Sequence, residues 1–205
     1  MSTALSSQNR SFATLRRFVE RRPEPERCHM CSTELARGHQ HLLELATRRL
    51  VCACDPCALL FPSRRNGKYK QVPRRIRILQ DFRLSDGQWD SLMIPIGIAF
   101  LFESSRESRM TALYPSPAGA VESLLSLDAW NEIAEENPVL AGMEPDVEAL
   151  LVNRLGDGQY YLTPIDRCYQ LVGLIRTHWR GLSGGSEMWE ETERFFRELR
   201  SLAGA

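Results

Sequence analysis

No stretch of this sequence is apolar for long enough to cross a bilayer. The longest candidate, residues 92–102, is about half the length a spanning helix needs and carries Pro95 and Gly97. The opening residues, MSTALSSQNR, lack the apolar centre of a secretory signal. Low-complexity tracts and internal repeats are also missing. No GxSxG, GxGxxG, P-loop or HExxH occurs, which removes the compact catalytic signatures from consideration. Net charge is absent too, with Lys+Arg 26 against Asp+Glu 26, so the chain as a whole lacks the basic excess of a dedicated nucleic-acid binder. What remains is an ordinary globular composition, 43% hydrophobic over 205 residues, expected in the cytoplasm as one medium domain or two small ones.

Cysteine is what the chain has in an informative pattern. CHMC at 28–31 carries two, and RRLVCACDPCALLF at 48–61 carries three more. Clustered CxxC spacing in a cytoplasmic chain points to metal or redox chemistry rather than a disulfide framework. Cys28 and Cys31 are three apart, as are Cys54 and Cys57, and two equal half-sites close a tetrahedron around one ion. Cys28, Cys31, Cys54 and Cys57 are therefore the expected ligands, with Cys52 spare on the preceding strand. Zinc is the expected cofactor, because a closed site of four thiolates suits it without any redox role. An iron–sulfur cluster also accepts four thiolates, but its usual spacings differ from this one. No thioredoxin-like βαβ pattern surrounds either pair, which disfavours a redox dithiol.

A knuckle at CHMC, a hairpin turning at Ala46-Thr47, and a helix opening at CDPC follow the order of a treble-clef zinc finger. His39 and His41 in HQH are able to add a ligand or hold a second ion, since residues two apart on a strand share a face, although ordinary surface histidines explain them as well. Cys168 lies on an apolar helical stripe and reads as an inert core thiol.

Residues 1–26 read as a polar tail and a short amphipathic helix, 27–63 as the four-cysteine zinc module, 64–77 as a basic linker with a turn at Asn66-Gly67, and 78–205 as an α+β domain with an antiparallel sheet and C-terminal helices. The fold class is thus α+β. Within the larger domain, residues 91–104 and 109–116 read as strands, and residues 127–138 as a helix capped by Asp128 and stopped by Pro138. LGDG between 146–154 and 159–165 is a hairpin signal. Cys168, Leu171, Val172, Ile175 and Trp179 share one face of a helix capped by Asp166. The last helix starts near Ser186 and points Met188, Phe195, Leu199 and Leu202 one way.

Charge is unevenly placed. Residues 1–81 hold 16 Lys+Arg against 7 Asp+Glu, and the remainder reverses this. Such asymmetry suits either an acidic partner or compensation between two lobes of the same chain. Asp146 and Glu148 share a strand face as a potential carboxylate pair, and SGG at 183–185 with Arg180 offers an anion a helix N-terminus. No third residue converges on either place, so an enzyme is not expected. The readings that remain are a protein-binding accessory factor and, as the alternative, a zinc-containing nucleic-acid-binding regulator using Arg64, Arg65, Lys68, Lys70, Arg74, Arg75 and Arg77, with Tyr69 among them, on phosphates.

The run from CHMC through HLLELATRRLVCACDPCALLF, with YPSPAGA, PDVEALLVNR, PIDRCYQLVGLIR, HWRGLSGG and the terminal W…FF…L, resembles an uncharacterised bacterial family associated with gene neighbourhoods of high-affinity nickel–iron hydrogenases, especially in actinobacteria. The resemblance spans nearly the whole chain and brings no assigned catalytic residues. It implies an accessory role in assembly, metal handling or holding a component, with a hydrogenase subunit or maturation factor as the protein partner.

Overall fold

Residues 98–104 and 148–153 are apolar almost without interruption, the pattern of strands covered on both faces. The computed structural model describes residues 25–61, 67–123, 127–181 and 183–204. The helix expected around Phe12, residues 62–66 with Arg64 and Arg65, and the side chain of the expected cap Asp128 lie outside the described residues.

The first part is a three-stranded antiparallel sheet, formed by β1 (Gln40–Glu44), β2 (Arg49–Ala53) and β3 (Tyr69–Gln71) in the order β2-β1-β3. The helix α1 (Asp55–Leu59) follows β2 directly. Alternation divides β1 and β2 between two environments. Leu42, Val51 and Ala53 form a small core with Cys28, Ala58 and Tyr69. Leu43 points the other way, into the core of the larger sheet, with Leu45 and Leu50 packed beside it. Tyr69–Gln71 and Arg77, within the stretch expected as linker, are strand residues: the first is β3 and the second opens β4 (Arg77–Ile78).

The larger sheet is antiparallel throughout, in the order β4-β9-β8-β5-β6-β7. Its strands are β5 (Ile98–Ser104), β6 (Arg109–Ser116), β7 (Gly119–Glu122), β8 (Glu148–Asn153) and β9 (Gln159–Pro164). Ile98, Phe100, Phe102, Leu113, Leu151 and Tyr161 face α4 (Ile165–His178) and α5 (Gly185–Ala203). Ala99, Leu101, Leu150, Val152 and Leu162 face the opposite core, with Leu92, Leu140, and Ala129 and Ile133 of α3 (Leu127–Glu136). These cores on both faces make the strands legible as continuous apolar runs.

Several expectations are corrected. The strand expected from residue 91 begins only at Ile98, because Ser85 opens a short helix, α2 (Asp86–Ser91), through a reciprocal capping box with Gln88. The strand expected at 109–116 continues past YPS into a hairpin, with Ser116 opposite Gly119. Asp166 makes no cap hydrogen bond and reaches His41 instead. Leu202 is exposed, whereas Phe196 joins Met188, Phe195 and Leu199 in the core. SGG is a turn into α5: Arg180 N donates to Gly184 O at 2.9 Å, and Gly184 has φ 91. A Cβ there would lie 2.3 Å from the buried Met188 side chain. Gly184→Ala is accordingly expected to lower stability by about 1–3 kcal/mol, through backbone strain and displacement of Met188, measured by urea unfolding.

Part of the uneven charge is met within the molecule. Lys70 Nζ donates to Asp146 Oδ2 at 2.9 Å and to Pro145 O at 2.7 Å. Arg75 clasps Glu148 with two bonds of 2.7 and 3.0 Å. Arg48 pairs with Glu107 and lies over the Phe102 ring. Three basic residues of the N-terminal part thus meet acidic residues of the large sheet and its loops, along a seam between the two layers.

Candidate metal centre

The Cys28 end of the candidate site is a tight turn. Cys28 N donates to Thr33 O and Ser32 N to Cys28 O, each at 2.8 Å, and Ser32 takes φ 62 to close the loop. His29 N donates to Cys52 O at 2.8 Å, which ties this knuckle to β2. The other end is the start of α1, where Cys54 is the N-cap, Pro56 presets the first turn, and Cys57 projects from it. Ala58 N donates to Cys54 O at 2.9 Å, so helix winding itself brings the second pair of sulfurs to one side. The order of knuckle, hairpin and helix is treble-clef-like.

One sulfur from each of Cys28, Cys31, Cys54 and Cys57 lies within 4.8 Å of the others. Cys31 Sγ and Cys54 Sγ are 3.7 Å apart. That is far beyond a disulfide bond. A tetrahedron with metal–sulfur bonds of about 2.3 Å has edges of about 3.8 Å. The four thiols are therefore arranged as a group able to hold a metal ion.

Electrostatics agree with that use. Burial opposes ionisation of Cys28, but the backbone amides of Cys54, Cys31 and Met30 outweigh it and bring its pKa down to about 6. Cys57 is pushed up to about 12, first by the neighbouring Cys54 sulfur and then by Cys31 and burial. Four sulfurs this close favour the first negative charge and oppose the last, and a divalent cation removes the opposition.

Cys52 stands apart from this group, on β2 opposite His41 of β1. One ligand atom each from His39, His41 and Cys52 gathers within 4.8 Å, so the two histidines are not independent surface residues. His29 is exposed beside Arg49, and His178 pairs with Glu187 at the start of α5. Cys168 is fully buried, and burial raises its thiol pKa well above the usual value. Asp146 and Glu148 do not pair with each other. Each is taken by its own cation, and Asp146 Oδ1 also accepts from Ser105 N at 2.8 Å. Trp179 donates from Nε1 to Gly181 O at 2.9 Å and packs against the core, while Tyr114 is partly buried on the opposite face. What sequence reasoning missed is the contact of Asp166 with His41: the two are 125 positions apart, and no local pattern signals the pair.

Residues 27–203 match a family of unknown function, DUF5947, and the chain belongs to that family. The matched span contains both cysteine pairs and both C-terminal helices. No curated protein and no solved structure matches the chain.

Proposed function

We propose that this protein is a zinc-stabilised, cytoplasmic accessory protein that works by binding another protein, in the assembly or maturation of a nickel–iron hydrogenase. The observation that carries the reading is the four-thiol group of Cys28, Cys31, Cys54 and Cys57, with its 3.7 Å contact. A donor set of four thiolates suits zinc and leaves no coordination position for substrate, which is the mark of a structural rather than a catalytic ion. The ion replaces the core that so small a sheet and a five-residue helix lack. Free thiols at all six cysteines suit a reducing compartment.

Two further points support holding over transforming. The carboxylates best placed for acid–base work, Asp146 and Glu148, are each neutralised by a basic side chain. The resemblance to a family associated with nickel–iron hydrogenase genes supports a hydrogenase subunit or maturation factor as the partner. The competing reading, a nucleic-acid-binding regulator, is weakened because Arg75 is committed to Glu148 and Lys70, in the adjacent β3, is buried against Asp146.

Deletion of the gene in its native host is expected to lower hydrogenase activity several-fold while leaving transcript levels of the hydrogenase genes unchanged. Altered transcripts with normal assembly would move the assignment to the regulator. Normal activity with normal transcripts would overturn both.

A further inference from the structure

We propose that His39, His41 and Cys52 form a second transition-metal site, separate from the four-cysteine group, with three protein ligands and a coordination position left for water or a small exogenous ligand. The backbone builds the cluster. His41 lies directly opposite Cys52 in the β1–β2 ladder, which brings their side chains together on one face. His39 stands two residues before His41 and shares that face. The rings meet edge to face with centroids 4.9 Å apart, and one donor atom from each of the three residues lies within 4.8 Å of the others.

The hydrogen bonds decide which nitrogens are offered. His41 Nδ1 is 2.7 Å from Asp166 Oδ2, and His39 Nδ1 is 3.1 Å from Ala36 O and 3.5 Å from Glu26 Oε2. Each Nδ1 faces only acceptors, so in the neutral ring it carries the proton and leaves the lone pair on Nε2. A carboxylate or carbonyl behind Nδ1 is the usual outer support of a metal-bound histidine, fixing both tautomer and ring direction. His39 supplies an independent sign of a ligand: its side chain is 8% exposed, yet Nε2 has no hydrogen-bond partner. A buried lone pair without a donor is satisfied by a cation.

The two sites share no ligand and face opposite ways. Leu42, Val51 and Ala53 separate them within the small sheet, under the four cysteines. His41 and Cys52 point toward α4, where Asp166 joins the set from the far side of the seam. Two imidazoles and one thiolate suit a late first-row divalent ion such as zinc, cobalt or nickel. Three protein ligands plus an open position is the pattern of sites that exchange a ligand, in contrast to the closed thiolate tetrad. A cavity of about 460 Å³ lies beside the two histidines, lined by His39, His41, Arg74, Asp166 and Arg167 among others.

Cobalt(II) titration of the metal-free, reduced full-length chain tests this. Two ions per chain are expected, the first with intense sulfur-to-cobalt bands of four thiolates, the second with the weaker bands of one. His39→Gln and Cys52→Ala are each expected to keep the first ion and lose the second. Asp166→Asn is expected to keep both ions but weaken the second by roughly 10–100-fold. Retention of the first ion reports that each variant is folded. A wild-type chain that binds a single ion would overturn the proposal, whatever the variants do. So would a second ion that survives both His39→Gln and Cys52→Ala. Loss of the four-thiolate bands in the wild type would instead count against the structural zinc reading, so the two failures are distinguishable.

Discussion

Cys54→Ala is expected to abolish the tightly held zinc, whereas Cys52→Ala retains it. Metal binding at such a site is folding free energy, of apparent magnitude about 10–16 kcal/mol for small zinc modules, so losing one thiolate withdraws much of what orders the knuckle and α1. The effect should be regional. Limited proteolysis of the Cys54→Ala chain is expected to cut within residues 27–72, while a fragment carrying the six-stranded sheet persists. That sheet has cores on both faces formed mostly by its own strands and helices, and Asp146 and Glu148 would meet water if the module lifted away. Only Leu43 and Val72, with the partly buried Leu45 and Leu50, would be withdrawn from the larger core. Loss of the four-thiolate ion from the Cys52 variant as well as from the Cys54 variant would show that the ligand set is wrong. Simultaneous digestion of both parts would show that the small sheet is integral to the large one.

The second large effect lies at Lys70 and Asp146. Both side chains are almost fully buried, 5% and 8% exposed, and their charged atoms are 2.9 Å apart. Asp146→Asn preserves the shape, the φ of 69 that Asn tolerates, and an acceptor for Ser105 N. It leaves the ammonium of Lys70 buried against a neutral amide. Breaking one side of such a pair costs about 3–5 kcal/mol, and Lys70→Met should do comparable damage from the other side. In the double variant no buried charge is left alone, so its destabilisation is expected to fall short of the sum by about 0.5–3 kcal/mol. Urea unfolding of the four proteins in the cycle measures this. Strict additivity would show that the two groups do not act as a pair.

Local chemistry was the legible part of this molecule. CxxC spacing named Cys28, Cys31, Cys54 and Cys57, because a knuckle and a helix start each place two thiols on one side without help from the rest of the chain. LGDG announced the β8–β9 hairpin for a similar reason, with Gly156 and Gly158 supplying the positive φ values of the turn. The helix α2 was hidden because Gly87 dilutes its propensity, although Ser85 and Gln88 carried a capping signal. The edge strand β7 was obscured by Pro117 and small residues that read as loop. What alternation could not reveal was the seam. Lys70 and Asp146 are 76 positions apart, and His41 and Asp166 are 125 apart. The charge imbalance left open an acidic partner or compensation within the chain, and only the packing of the small sheet on the large one chose the pairs.

The long reach of those pairs has a consequence for the order in which the chain folds as it is synthesised. All four thiols of the knuckle and α1 fall within residues 28–57, so their ion can be captured as soon as that stretch emerges, before any strand of the large sheet exists. The loops are short, and closing them loses little chain entropy. The partners of Lys70, Arg75 and His41 arrive only with Asp146, Glu148 and Asp166. Until then the nascent chain carries its excess of arginine and lysine without the carboxylates that neutralise it. With an ion held there, the module would stand as a positively charged nucleus, and closure of the seam is expected to be the late, non-local step of folding.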